Sequence, residues 1–181
     1  MASVLSHPAV PLAIAAAAGR ARVPRRLALV ACAASVLPDV DALGYWAGVP
    51  YDAPLGHRGF THSLFFAGAL ALVGAACARR LGVSRRSAFG VVFLAAASHG
   101  LLDAMTTGGM GVAFFSPFSN ARYFLPWRVI AVSPIGIGRF FSPRGLAIIR
   151  SELTWIWAPC AAVAALGLAL RRSAGDRPPT R

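Results

Sequence analysis

The sequence predicts an all-α integral membrane bundle of about five transmembrane or half-spanning helices, joined by one long outer loop. Three observations carry that prediction. The chain is 57% hydrophobic and only 13% charged, where soluble domains are about 25% charged, and its mean hydropathy is +0.63. Its apolar residues fall into five runs. Its 18 basic residues are all arginine, and twelve of them follow three of those runs in blocks of four. That spacing sets topology and is unlike the clustered patch of a nucleic-acid-binding module, so no nucleic-acid partner is expected.

Each segment has its own grounds. Residues 4–19 are apolar but short, and carry Pro8 and Pro11. The arginines follow this run, the reverse of a cleaved signal peptide, so it reads as a retained helix. Residues 27–43 are apolar as far as Leu37 and then meet Pro38 and two aspartates. Residues 60–78 form the clearest span, 19 residues with no charge after His62. Residues 88–102 lead into His99 and Asp103, and residues 153–170 close a single membrane domain over 1–172. A full crossing takes about 20 residues, so the first two runs are short and their polar ends lie near the membrane surface. The Arg/Pro-rich tail, 173–181, reads as disordered and cytoplasmic. Cys32, Cys77 and Cys160 each lie in an apolar run and read as small apolar residues.

Between the fourth and fifth spans, residues 104–151 are too long for a simple connection. The loop opens on Thr106, Thr107, Gly108 and Gly109, then carries Phe114, Phe115, Phe118, Tyr123, Phe124 and Trp127 among arginines. Aromatics with arginines belong at the lipid headgroup level. Residues 129–137, with Pro134 and Gly136, read as a short re-entrant or interfacial segment.

The arginines also order the spans. Arg20, Arg22, Arg25 and Arg26, then Arg79, Arg80, Arg85 and Arg86, then Arg171, Arg172, Arg177 and Arg181 fall on one side. The positive-inside rule makes that side cytoplasmic, with the N-terminus outside and the C-terminus inside. This assignment uses no histidine or aspartate. It nevertheless puts His7, Asp39, Asp41, His57, His62, His99 and Asp103 at the opposite, outer face of the cytoplasmic (inner) membrane.

Those seven residues are the candidate metal ligands. His99 and Asp103 are four apart and share a helix face. Pro38 disfavours helix at Leu37, and a bend there lets Asp39 and Asp41 face one way. His57 and His62 flank Gly59 where a loop turns into a helix near Phe60, with Thr61 and Ser63 placed to cap it. An aspartate in mid-bilayer costs about 2.5–3.5 kcal/mol, and neighbouring carboxylates repel as well. A divalent cation relieves both, and imidazole with carboxylate suits zinc first, with manganese or iron as alternatives. Asp41, His62 and Asp103 are the candidates for the acid–base work of catalysis. Arg58, Arg122 and Arg128 are candidates to hold an anionic group, and Glu152 reads as a helix N-terminal charge or an extra ligand.

The motifs as they stand are His7, Pro38-Asp39-Val40-Asp41, His57-Arg58-Gly59-Phe60-Thr61-His62-Ser63, Ser98-His99 with Asp103, and Ser116-Pro117-Phe118-Ser119. They resemble those of the LexA-binding, inner-membrane-associated metal-dependent hydrolases, the YdjM-like family, over residues 6–170. The resemblance implies a small multi-pass membrane protein with metal-dependent hydrolytic activity. The expected function is therefore hydrolysis by a metal-activated water, on a lipid-like ester or phosphoester at headgroup level. The rival expectations are a non-enzymatic metal-binding or ion-handling protein, and a scaffold whose polar clusters pack helices.

Overall fold

In the computed structural model, which describes residues 1–133 and 142–175, α1 (Ala9–Ala18) and α2 (Arg25–Val36) are followed by a 3-10 turn over Leu37–Asp41 and a short α3 (Ala42–Trp46). A second 3-10 turn (Phe60–His62) leads into α4 (Leu64–Ala76) and α5 (Ala78–Leu81), then the long α6 (Arg85–Ala104). The final rod runs from α7 (Pro143–Glu152) through a π turn (Leu153–Trp157) into α8 (Ala158–Ser173). No strand occurs among the described residues. Three of these helical stretches have the length and composition to cross a membrane: Arg25–Trp46, Arg85–Ala104 and Pro143–Ser173. The helices of α1 and α4 are shorter and apolar. The protein is a helical membrane bundle.

α6 is the hub, with α2 on one side and α4 on the other, while α1 packs against α8. Small residues allow these close crossings, as membrane helices gain little from apolar burial between them. Ala31, Ala67, Ala71, Ala88 and Ala95 are all buried. A Cβ at Gly74 would meet Val92 Cγ2 at 2.9 Å, and one at Gly167 would run into the Ala17 backbone, at 2.6 Å from its Cα. Larger residues face outward instead, including Leu29, Leu72, Leu94 and Leu166, where lipid replaces the protein core.

Three expected boundaries move. The run expected to be the clearest span gives a helix of only 13 residues, Leu64–Ala76, about 20 Å long at 1.5 Å per residue. Ser63 caps it by accepting from Phe66 N at 3.1 Å, so Thr61 and His62 stay outside the helix. The second run extends to Trp46, because Pro38 tightens the chain into a 3-10 turn instead of ending it. The outer loop is shorter than 104–151, since α7, capped by Ser142 and opening on Pro143, occupies its last nine residues.

The rest of that loop folds back on the bundle end. Ala113 N donates to Arg58 O, Leu64 N to Phe114 O and Leu125 N to Ala104 O. Thr107 N and Ile130 O, with Ile130 N and Met105 O, close a further pair, and Ile130 is fully buried. The re-entrant segment read over 129–137 therefore starts as a buried return, and its part from 134 lies outside the described residues. So does the tail from 176, although α8 itself carries on to Ser173.

The arginine-bearing ends lie together: Arg26 Nη1 donates to Arg80 O at 3.2 Å, and Arg171 Nη2 to Ala16 O at 2.7 Å. The histidines and aspartates gather at the other end.

Candidate metal centre

Four stretches of chain converge at that end. His7 directly precedes α1. The 3-10 turn after α2 presents Asp39 and Asp41, which a continuing α-helix would point nearly opposite ways. The turn before α4 directs His62 inward, and the C-terminal half of α6 contributes His99 and Asp103 from one face. His7, His99 and Asp103 are all 0% exposed.

One ligand atom from each of Asp39, His62, His99 and Asp103 lies within 4.8 Å of all the others. His99 Nδ1 is 2.7 Å from Ser35 O. His62 Nδ1 is 3.1 Å from Asp41 Oδ2 and from Thr61 Oγ1. Both Nδ1 atoms thus face oxygens, so in neutral rings they carry the protons and the Nε2 lone pairs are free. Those two Nε2 atoms point at each other, 2.9 Å apart. Two lone pairs cannot bond to one another, whereas a cation between them satisfies both. Asp39 Oδ1 stands 3.4 Å from His99 Nε2, and Asp103 Oδ2 stands 3.5 Å from His62 Nε2.

His7 belongs to the same cluster. Its ring stacks on His99 at 3.7 Å with a 16° tilt. Its Nε2 is 3.8 Å from both Asp39 Oδ2 and Asp103 Oδ1. Neither His7 ring nitrogen and neither Asp39 oxygen has a hydrogen-bond partner, although all are buried. Orphans of this kind are rare in folded proteins, and a cation at this position would satisfy them.

A second group joins Asp41, His57 and His62. Asp41 Oδ1 is 2.7 Å from His57 Nδ1, while Oδ2 accepts from Thr61 Oγ1 at 2.6 Å and Arg58 N at 3.2 Å. One carboxylate therefore orients two imidazoles, the device that fixes ring tautomers beside metals. His57 Nε2 is buried without a partner. Tyr51 meets the His57 ring edge-on at 5.3 Å, and burial raises its phenol above the ordinary value, keeping it neutral.

Charge completes the fit. Asp39, Asp41 and Asp103 outnumber the one guanidinium buried among them, Arg58, and a divalent cation would offset that excess. Arg58 is 0% exposed and adopts φ +64°. Its Nε lies 3.0 Å from Asp103 Oδ2, at ion-pair distance but too bent for a hydrogen bond. Its Nη1 and Nη2 donate at 3.0 Å to Gly108 O and Thr106 Oγ1.

Of the arginines read from the sequence as anion holders, Arg58 and Arg122 donate from both Nη atoms to the protein, and Arg128 from its Nε. Arg122 donates to the carbonyls of His57 and Tyr51 at 2.9 Å and of Ala53 at 3.3 Å, clamping the loop that carries His57. Arg128 donates to Thr106 O at 3.0 Å and lies over the Phe124 ring. Glu152 is not at a helix N-terminus, since α7 continues past it into the π turn. It is buried and accepts from Ser3 N, from Ser3 Oγ at 2.6 Å and from Ser6 Oγ at 2.7 Å. With Ala2 N on Asp103 Oδ1 at 2.8 Å, it straps residues 2–7 across the cluster. The sequence offered two signals for that strap: a carboxylate inside an apolar helix and two serines ahead of His7.

The comparisons agree with this architecture. The family described as YdjM inner membrane protein matches residues 1–175. Inner membrane protein YbcI of Escherichia coli (strain K12) is 43% identical over 162 residues, 88% of this chain and 92% of that protein. No solved structure matches. With the match running from the His7 strap to the end of α8, this chain belongs to the YdjM inner membrane protein family.

Proposed function

We propose that the chain is a metal-dependent hydrolase of the inner membrane, acting at the end of the bundle opposite the arginines, the outer face by the positive-inside rule. The observation that carries this reading is the approach of the His62 and His99 Nε2 atoms, 2.9 Å apart amid orphaned carboxylate oxygens. Asp39, His62, His99 and Asp103 would hold a divalent ion, zinc first, with His7 as a further donor. Such an ion, when bound, supplies an acidified water and polarises the scissile group. Asp41 keeps the His57 and His62 protons on Nδ1. His57 Nε2 is then a free base that can accept a proton from the nucleophile, making Asp41–His57 a base and its orienting group. A lipid-borne ester or phosphoester fits a site at headgroup depth, flanked by exposed Trp46, Phe118 and Trp127.

One observation favours a second reading. The cluster is closed, with His7, His99, Asp103 and Arg58 all at 0% exposure, and closed sites serve structure where catalytic ones keep an open position. In that reading the metal staples four helix ends.

Metal analysis of the detergent-purified protein, beside Asp39→Ala and His99→Ala, tests the shared part. Wild-type protein without stoichiometric metal, after loading and desalting, sinks both readings. Asp41→Asn separates them: the hydrolase loses turnover of a phosphoester and carboxyl-ester panel while keeping its metal. If wild-type protein holds metal yet turns over no ester, the structural reading stands.

A further inference from the structure

We propose that the arginine-bearing end holds an anionic phospholipid in a built site between α1, α2 and α8. A cavity of about 340 Å³ lies there. Leu12 and Ala16 form part of an apolar wall, while Arg20, Arg25 and Arg171 provide the basic lining. Gly19, at φ +80°, turns the chain so that the Arg171 guanidinium lies flat against it, where any Cβ would collide. Arg171 spends Nη2 on Ala16 O, and its Nε is buried without a partner. A neighbouring cavity of about 460 Å³ shares Arg171 and adds Arg22.

The charge at this end is unbalanced. Among the described residues it carries Arg20, Arg22, Arg25, Arg26, Arg79, Arg80, Arg85, Arg86, Arg171 and Arg172 and no carboxylate. The guanidinium groups of Arg20 and Arg25 have no partner among those residues. Guanidinium donors converging over an apolar wall suit a phosphodiester whose acyl chains continue along the helices. A free phosphate would use the basic lining and leave the apolar wall idle. The site therefore takes a lipid headgroup with its chains, and it is independent of any chemistry at the metal centre.

Native mass spectrometry of the full chain, released from micelles doped with phosphatidylglycerol or phosphatidylcholine, tests this. Wild-type protein should retain phosphatidylglycerol in preference. Arg20→Gln and Arg25→Gln should each weaken retention about fivefold. Arg85→Gln with Arg86→Gln, at the same end but outside the cavity, should leave it unchanged. Equal retention of the two lipids by wild-type protein overturns the proposal without recourse to any variant. So does an equal loss in the Arg85/Arg86 pair, which would mean diffuse charge attraction. Displacement of the lipid by millimolar inorganic phosphate also overturns it.

Discussion

Arg58 offers the sharpest test of how the centre is held together. It is fully buried, and its guanidinium meets Asp103, Gly108 and Thr106, all at 3.0 Å. Replacing it by alanine strands Asp103 as a buried charge, and breaking a buried pair in this way costs about 3–5 kcal/mol. The negative excess at the cluster rises by one charge, so the folded state of Arg58→Ala should lean harder on a cation. Backbone geometry adds an internal control. At φ +64° an alanine is strained and a glycine is not, so Arg58→Gly should be more stable than Arg58→Ala by about 1 kcal/mol. Unfolding in mixed micelles, followed by far-UV circular dichroism as the dodecyl sulfate fraction rises, reads both differences. Chelator should widen the gap between wild type and Arg58→Ala, and saturating zinc should narrow it by binding only the folded form. If Arg58→Ala in chelator lies within about 1 kcal/mol of wild type, the buried-pair argument is wrong. If glycine does no better than alanine, the left-handed conformation carries no strain.

Three further outcomes follow from the same geometry. His7→Ala should lower zinc affinity about 10- to 100-fold without changing stoichiometry, as read by competition with a chromophoric chelator; an unchanged affinity removes His7 from the donor set. Glu152→Gln should weaken the strap over residues 2–7 and lower zinc affinity in the same direction as His7→Ala. Combining the two should then cost little more than His7→Ala alone, and full additivity would mean that Glu152 does not act through His7. Gly167→Val should destabilise the bundle by about 1–3 kcal/mol, because α8 would have to lift off Ala17; the dodecyl sulfate titration checks it, and a neutral result would mean α1 and α8 are not tightly packed.

The helical segments were legible because each is an apolar run interrupted by charge, and the seven site residues because such residues are costly in a lipid-facing chain. The pairing of His99 with Asp103 follows from helix period alone. What stayed hidden depends on contacts remote in sequence. Glu152 reads as a helix charge until Ser3 and Ser6 are seen to surround it, at a separation of nearly the whole chain. His7 reads as a candidate ligand, but its stacking on His99 is a tertiary fact that the sequence does not carry. Arg58 reads as an anion holder, but it is buried with a left-handed backbone and its guanidinium bonds within the bundle. The boundary at Phe60 was misplaced because the apolar run begins before Ser63, the cap candidate at which α4 starts.

The strap that carries His7 is fastened to Glu152, on the last helical rod of the chain. His7 is made well before α7, and must therefore wait for that later segment before its position is secured. Asp39, His62 and His99 can assemble as soon as α6 is in the bilayer, but the strap closes over them only after α7 and the π turn have docked. If the cluster holds a metal, its capture and the insertion of the α7–α8 rod are in this way coupled. A nascent chain that stalls before the final span would present an open, negatively charged pocket instead of a sealed one.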